Sequence, residues 1–219
     1  MASRLILVVL GKQGAGKGTQ CKALASTYGI PHVSTGDILR AAVKAGSPLG
    51  LEVKSVLDAG ALVSDDLVVK LVAERLAEGD AERGALLDGF PRTLAQAEAL
   101  EKLLGPSGVS LCVNLDVSTE LVTERLSSRR VCQECGAIYR ASDIEAVSGT
   151  CSECSGDVVQ RRDDQPEAIR QRLEAYERNT APLLDFYDAR KLVAVIDGSV
   201  EVGAVGSAID DALSTRGLV

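Results

Sequence analysis

The chain has 219 residues, of which 46% are hydrophobic and 25% are charged, as expected for a globular protein with one substantial core. Its formal charge of -7 argues against an extended nucleic-acid surface, which would need clustered Lys and Arg residues. No apolar run approaches the roughly 20 residues that span a bilayer, and residues 1–4 lead into the first apolar run without a signal-type segment. We therefore expect a cytoplasmic protein without nucleic-acid or membrane partners, whose anionic ligands are small.

The first predicted element is a strand, Leu5–Leu10, followed by a glycine-rich loop and a helix. Six aliphatic residues without polar alternation are typical of a strand buried on both faces, as in the middle of a parallel sheet. The loop, residues 11–18, fits G-x-x-x-x-G-K through Lys17, but the expected hydroxyl comes one position late, at Thr19. In such a loop consecutive backbone N–H groups converge on a phosphate at a helix N-terminus. The pattern predicts a phosphate-binding loop, and the alternative is a plain glycine turn.

Four further apolar stretches read as strands, with helical patterns between them. The strands are predicted at residues 30–34, 85–87, 111–115 and 192–196, and two of the helices at residues 66–76 and 94–104. This alternation is typical of an α/β fold with a parallel sheet and helices on both faces. Polar residues follow each strand, and ligands of open α/β sheets bind outside the carboxyl ends of the strands. We therefore expect these polar segments to face one crevice together with the glycine loop.

Two segments, residues 34–63 and 129–164, interrupt the alternation and read as inserts on the core. The second has almost no apolar periodicity. After it, Asp164 and Glu167 enclose Gln-Pro, which predicts a capping box with Asp164 as the N-cap residue of a helix. We expect Pro182 to bend or end that helix.

Four of the six cysteines form two C-x-x-C pairs with fifteen residues between them. They are Cys132, Cys135, Cys151 and Cys154. This spacing predicts a four-thiolate zinc site, and a closed site of this kind is structural because it has no open position for substrate. A disulfide or redox role fits poorly with a cytosolic chain, and iron in the same cage is the other alternative.

The other two cysteines, Cys21 and Cys112, lie in apolar surroundings and read as small buried hydrophobic residues. The single histidine, His32, reads as structural. This interpretation argues against a Ser-His or Cys-His catalytic pair.

Five motifs in the order GAGKGTQ, STGDILR, LLDGFPRTLAQA, SSRRVC and RRDDQ resemble those of the adenylate kinases, in the long form with a zinc-bearing lid. The resemblance covers nearly the whole chain. It implies a P-loop kinase core with strand order 2-3-1-4-5, an AMP-binding insert at residues 34–63 and a lid at residues 129–164. It also implies a monomer that transfers a phosphoryl group reversibly from ATP to AMP with Mg²⁺, giving two ADP in a closed, water-excluded site.

Carried over to matching positions, the resemblance implies three overlapping groups of site residues. The implied ATP-binding residues are Gly14, Ala15, Gly16, Lys17, Gly18, Thr19, Arg125, Arg129, Ile138, Tyr139 and Val200. The implied AMP-binding residues are Thr35, Arg40, Ala61, Leu62, Val63, Gly89, Phe90, Pro91, Arg92, Gln96, Arg161 and Arg172. The implied catalytic residues are Lys17, Arg92, Arg129, Arg161 and Arg172, with Asp88 holding Mg²⁺ through water and Asp163 and Asp164 orienting arginines.

The chemistry of phosphoryl transfer agrees with this set. Catalysis is mostly positioning and charge stabilisation, and guanidinium groups bind phosphate oxygens in pairs. No general base is needed, because the acceptor phosphate is already an anion. Gln96 favours AMP over UMP, since an amide donates and accepts at once, as an adenine edge requires.

The chain departs from the family pattern at Gln13, where proline is common, and at Val200, where a longer polar residue is frequent. The second change costs little if the contact there is made by the backbone.

Two alternatives stay open. One is a related kinase that uses GTP as donor or UMP or CMP as acceptor, and the other is a zinc-ribbon regulator that binds nucleotide or nucleic acid without turnover.

Overall fold

The structure, a computed structural model, describes residues 4–219. A sheet of five parallel strands lies at its centre. The strands are β1 (Leu5–Leu10), β2 (His32–Ser34), β3 (Gly84–Asp88), β4 (Leu111–Asp116) and β8 (Val193–Asp197). Their order across the sheet is β2-β3-β1-β4-β8. The predicted order 2-3-1-4-5 is confirmed, because β8 is the fifth strand of this sheet along the chain.

Helices connect the strands. In the described residues the α-helices are α1 (Lys17–Tyr28), α2 (Thr35–Lys44), α3 (Pro48–Asp58), α4 (Asp65–Leu76), α5 (Leu94–Leu104), α6 (Thr119–Ser128), α7 (Ile144–Ser148), α8 (Pro166–Ala175), α9 (Leu183–Asp188) and α10 (Val202–Thr215). Both helices predicted by residue number, now α4 and α5, begin and end within one residue of the prediction. Among residues 4–219, no helix combines the length and apolar composition of a membrane span.

The sheet is buried on both faces. Leu86 and Leu87 are consecutive in β3 and fully buried, and adjacent strand residues point to opposite faces. Leu86 lies in an apolar cluster with Leu24 of α1 and Ile209 of α10. Leu87 lies in a second cluster with Val72 of α4. Helices on both faces confirm the predicted α/β fold and leave the carboxyl ends of the strands as the open edge.

The segment 129–164 contains a small antiparallel sheet that the sequence did not predict. Its strands are β5 (Arg129–Cys132), β6 (Ile138–Arg140) and β7 (Val158–Val159), in the order β6-β5-β7. With two to four residues each, these strands are too short to show an apolar period. The first insert, by contrast, is helical and consists mainly of α2 and α3.

The predicted capping box before α8 is wrong. The N-cap residue is Gln165, and no side chain of the described residues caps this helix. Asp164 is fully buried and its carboxylate accepts hydrogen bonds from Arg129 and Arg172, while Glu167 pairs with Arg170. After α8 the chain continues through a π-helical turn, Tyr176–Thr180, and Pro182 then separates this helical run from α9, as expected.

Burial on both faces predicts that Leu86→Ala and Leu87→Ala each lower the free energy of unfolding by about 2–5 kcal/mol, because each leaves a cavity in a packed core. Leu103→Ala in α5 is the matched control, since that leucine is largely exposed, and its effect should be below about 1 kcal/mol. Urea unfolding of the three variants measures the difference. If either β3 variant behaved like the control, that face of the sheet would not be part of the core.

Candidate active site

The glycine loop between β1 and α1 presents backbone donors at one point. α1 begins at Lys17, and its N-cap residue Gly16 has no side-chain cap in the described residues, so the first N–H groups of the helix are free for a ligand. Gly14 and Gly16 have φ angles of 85° and 100°, in the region that glycine favours. A Cβ on Gly14 would lie 3.0 Å from Leu126 of α6, so the loop also packs closely. The loop can therefore hold an anion at the helix N-terminus.

Lys17 folds back over this loop. Its Nζ donates to the carbonyl oxygens of Gly11 at 2.7 Å and Lys12 at 2.9 Å. Burial lowers the pKa of Lys17 to about 8; the charge of Asp88 opposes this shift, and Arg92 and Arg172 add to it. A bound phosphate would raise this pKa again and stabilise the charged form of the amine.

Arginine side chains from three parts of the chain meet at the carboxyl edge of the sheet. Arg92 follows β3, Arg40 lies in α2 and Arg172 lies in α8. Burial, and then repulsion from Arg172, lowers the pKa of Arg92 to about 10. Burial, followed by repulsion from Arg40 and Arg129, lowers the pKa of Arg161 to about 10. Such a concentration of buried positive charge is costly unless anions neutralise it.

Two aspartates hold part of this arginine group in place. The Asp164 carboxylate accepts two hydrogen bonds from Arg129, at 2.8 and 2.6 Å, and a third from Arg172 at 3.1 Å. Arg172 also lies 3.0 Å from the Asp163 carboxylate. A paired fork of this kind fixes the plane of a guanidinium group. The fork thus orients Arg129, and contacts of one Arg172 nitrogen with both aspartates hold Arg172 beside it.

A pocket opens beside the arginines. Nine of the residues that the sequence assigned to AMP line it: Thr35, Arg40, Ala61, Leu62, Val63, Gly89, Arg92, Gln96 and Arg172. Three others are not in its wall. Phe90 is buried in the apolar core, Pro91 is buried as well, and Arg161 lies outside the lining.

The sequence missed several other residues of this wall, most of them apolar. The pocket is also lined by Gly36, Leu39, Leu57, Gly60 and Val68, and by Asp163. One signal could have found Leu39, because it lies four residues after Thr35 in α2 and therefore on the same helix face. Leu57, Gly60 and Val68 offered no such signal, since their neighbours in space come from other elements.

Gln96 is held by the protein at both ends of its amide. Its Oε1 accepts from the backbone N–H of Arg92 at 2.7 Å, and its Nε2 donates to Asp65 at 2.7 Å. Thr93 donates to the other Asp65 oxygen at 2.9 Å. One N–H and one lone pair of the Gln96 amide remain for a ligand. Asp65 orients this amide, and its role was not predicted.

Several residues assigned to ATP lie outside the glycine loop. Arg125 donates to the carbonyl oxygens of Gly198 at 3.0 Å and Ser199 at 3.3 Å, next to the exposed Val200. Ile138 is exposed in β6. The hydroxyl of Tyr139 lies 3.1 Å from Cys151 Sγ, so its polar end faces the cysteines.

The two inserts contact each other. Lys44, at the end of α2, donates to Glu134 at 2.8 Å and to the carbonyl oxygen of Gln133 at 3.2 Å. Arg162 lies 3.3 Å from Asp58 of α3. These contacts join the two inserts, and the sequence did not predict them.

The four paired cysteines come together in space. All four Sγ atoms lie within 4.8 Å of one another, and two pairs, Cys132 with Cys154 and Cys135 with Cys151, are 3.4 and 3.6 Å apart. A zinc tetrahedron with bonds of about 2.3 Å requires about 3.8 Å between sulfurs, whereas a disulfide requires about 2.05 Å. A hydrogen bond from Tyr139 lowers the pKa of Cys151 to about 6, which favours the thiolate. The group therefore fits zinc and argues against disulfides.

Comparisons with known proteins agree with this geometry. A family model described as adenylate kinase matches residues 9–192. The adenylate kinase of Syntrophotalea carbinolica is 46% identical over 94% of this chain and 97% of that protein. The adenylate kinase of Thermodesulfovibrio yellowstonii is 46% identical over 93% of this chain and 96% of that protein. The adenylate kinase of a Geobacillus species is 45% identical over 94% of this chain and 97% of that protein.

The lowered pKa of Lys17 predicts that binding of a triphosphate ligand weakens above about pH 8. Below this pH the free protein carries a charged amine; above it the amine is neutral and must take up a proton to pair with phosphate. We expect the logarithm of Kd to rise with a slope approaching one per pH unit, measured by calorimetry with ATP between pH 7 and 9.5. For Lys17→Arg, the Kd for ATP should not rise with pH in this way, because arginine stays charged. An equal slope in both proteins would assign it to another group.

Removal of metal from the four-cysteine cluster should lower the melting temperature more than it lowers turnover at low temperature. The small core of this segment consists of Cys132, Cys151 and Val158, so a metal bound there would replace much of the missing apolar packing. Calorimetry and activity assays on Cys154→Ser measure both effects, with Glu153→Gln as the control in the same turn. A loss of activity without a change in melting would contradict a structural role.

Proposed function

The chain belongs to the adenylate kinase family, and we propose that it transfers a phosphoryl group from ATP to AMP, giving two ADP. One observation carries this proposal. Lys17, Arg92 and Arg172 converge, largely buried, between a phosphate-type loop and the pocket beside α2. Two facing phosphate groups are the ligands that this charge distribution accommodates best.

The donor binds at the glycine loop. Residues 14–19 surround its phosphates, with Lys17 on the group that is transferred. Arg129, which Asp164 already orients, adds charge from the side of the second insert. The base lies toward Arg125 and Val200, where the loop after β8 offers backbone carbonyls and N–H groups, with Ile138 and the Tyr139 ring above it.

The acceptor binds in the pocket beside α2. Arg40 and Arg92 hold its phosphate, Arg161 and Arg172 clamp this phosphate and the moving group, and Gln96 reads the base with its remaining N–H and lone pair. The apolar side chains of Leu39, Leu57 and Val68 lie in the same wall. They supply the flat apolar surface that a nucleobase needs.

Catalysis in this site is positioning and charge stabilisation. The acceptor phosphate attacks in line, so the transition state spreads negative charge over oxygens that face Lys17, Arg92 and Arg172. No side chain has to remove a proton. The Asp88 carboxylate, 13% exposed at the end of β3, supplies oxygen ligands of the kind Mg²⁺ takes through water. Mg²⁺ held there would neutralise part of the charge of the donor phosphates.

The two inserts close the site. We assign residues 34–63 as the AMP-binding insert and residues 129–164 as a lid whose four cysteines hold structural zinc. Exclusion of water is required, because water would otherwise accept the phosphoryl group. The contacts of Lys44 and Arg162 between the inserts support this assignment. The monomeric state and the cytoplasmic location stay predictions of the sequence.

A coupled assay with ATP, AMP and Mg²⁺ tests the activity. We expect ADP formation that Lys17→Met abolishes. A panel with GTP as donor and UMP or CMP as acceptor separates the related kinases, and a higher kcat/KM with UMP than with AMP would contradict our assignment. Nucleotide binding without any ADP would indicate the non-catalytic regulator.

The contacts of Gln96 predict a specific change in acceptor recognition. Gln96→Leu should lower kcat/KM for AMP by about 10-fold to 100-fold, because a hydrogen-bonding site loses its partner for the base. The loss should be smaller for inosine monophosphate, which lacks the exocyclic amine. Steady-state rates with both acceptors measure the ratio, and Glu98→Gln on the exposed face of α5 is the control. Equal losses with both acceptors would mean that the substitution only disturbs Arg92 and Asp65.

A further inference from the structure

A second group of metal-binding side chains lies next to Lys17. Cys21 follows Lys17 by one turn of α1, His32 begins β2 and Asp88 ends β3. Their sulfur, nitrogen and oxygen ligand atoms all lie within 4.8 Å of one another. The closest measured approach is 3.2 Å, between His32 Nε2 and Asp88 Oδ2. Three separate elements thus bring three different donor atoms to one place.

We propose that Cys21, His32 and Asp88 form a second metal site that takes Zn²⁺ and that zinc bound there inhibits the enzyme. Bonds of about 2.0–2.3 Å to a tetrahedral ion place ligand atoms about 3.3–3.8 Å apart. The distance of 3.2 Å between His32 and Asp88 lies at the short end of this range, and all three ligand atoms lie within 4.8 Å of one another, so small side-chain rotations complete the site. Thiolate and imidazole select zinc over Mg²⁺, which prefers oxygen.

Access and charge are both compatible with an ion. Cys21 is fully buried, but His32 and Asp88 keep 12% and 13% of their side-chain surface exposed. An ion can therefore reach the site from solvent on the side of His32 and Asp88. Zinc displaces the thiol proton of Cys21 to solvent, and the resulting thiolate and the Asp88 carboxylate together balance its two charges.

Neighbouring cations limit the affinity. Lys17 and Arg92 both act on Asp88 electrostatically, so they repel an ion held by its carboxylate. We therefore expect zinc to fill the four-cysteine cluster first and this site second.

Inhibition follows from the position of Asp88. This carboxylate faces Lys17 at the end of β3, and the proposed function uses it for Mg²⁺. An ion coordinated directly by Asp88 removes it from that role. The inhibitory part of this inference rests on the proposed function, whereas the binding part does not.

The binding test uses full-length protein that already contains one equivalent of zinc in the four-cysteine cluster. Equilibrium dialysis against Zn²⁺ should give a second equivalent, and Co²⁺ in its place should give an absorption band from a single thiolate ligand. Cys21→Ala and His32→Gln should each bind only the first equivalent. Cys112→Ala is the control, because it removes another fully buried cysteine and should still bind two.

The activity test uses buffered free Zn²⁺. Inhibition of the wild-type enzyme should be reversed by a chelator, and Cys21→Ala should need at least 10-fold more zinc for the same inhibition. Equal stoichiometry and equal inhibition in Cys21→Ala and the wild type would overturn the site. If the protein transfers phosphoryl groups but binds only one equivalent of zinc, this inference alone is wrong. If it binds two equivalents of zinc but transfers no phosphoryl group, the proposed function alone is wrong.

Discussion

Repulsion between buried cations is the constraint on which the site depends. Burial, together with repulsion from Arg92 and Arg172, lowers the pKa of Lys17. Burial, followed by repulsion from Arg172, lowers the pKa of Arg92. The protein balances only part of this charge, mainly through Asp163 and Asp164. Phosphate groups complete the balance, so nucleotide binding relieves an electrostatic cost that folding has already incurred. Preorganisation of this kind lets the same groups stabilise a transition state without rearranging.

The parallel sheet makes this concentration of charge possible. β1 is paired with β3 on one side and β4 on the other, so its carboxyl end lies at the centre of the edge where all five strands finish. The glycine loop follows β1 and the Asp88 to Arg92 segment follows β3, which places the donor side and the acceptor side on adjacent strands. Because helices bury both faces of the sheet, neither strand can shift without opening the core.

The sequence predicted features that depend on local pattern and missed those that depend on distant partners. Apolar runs located the strands, and the spacing of four cysteines located their cluster. The capping-box prediction failed because the Asp164 carboxylate accepts hydrogen bonds from Arg129, a residue 35 positions away. This charged pair is stronger than the N-cap hydrogen bond that the local pattern suggested. Phe90 was assigned to the acceptor on resemblance, yet its ring belongs to the core. The contact of Lys44 with Glu134 joins residues 90 positions apart, and exposed charges of this kind carry no periodic signal.

Gly60 shows how the fit between the first insert and the core is set. A Cβ at this position would lie 2.7 Å from Arg172 Cγ and 2.9 Å from the carbonyl oxygen of Ala168. The space between the two surfaces is therefore narrower than a methyl group, and main chain forms part of both. A contact with backbone atoms cannot be relieved by a change of rotamer, as a contact with a side chain can. The backbone at Gly60 therefore sets how closely the insert can approach α8. The same contact limits how far Arg172 extends into the pocket.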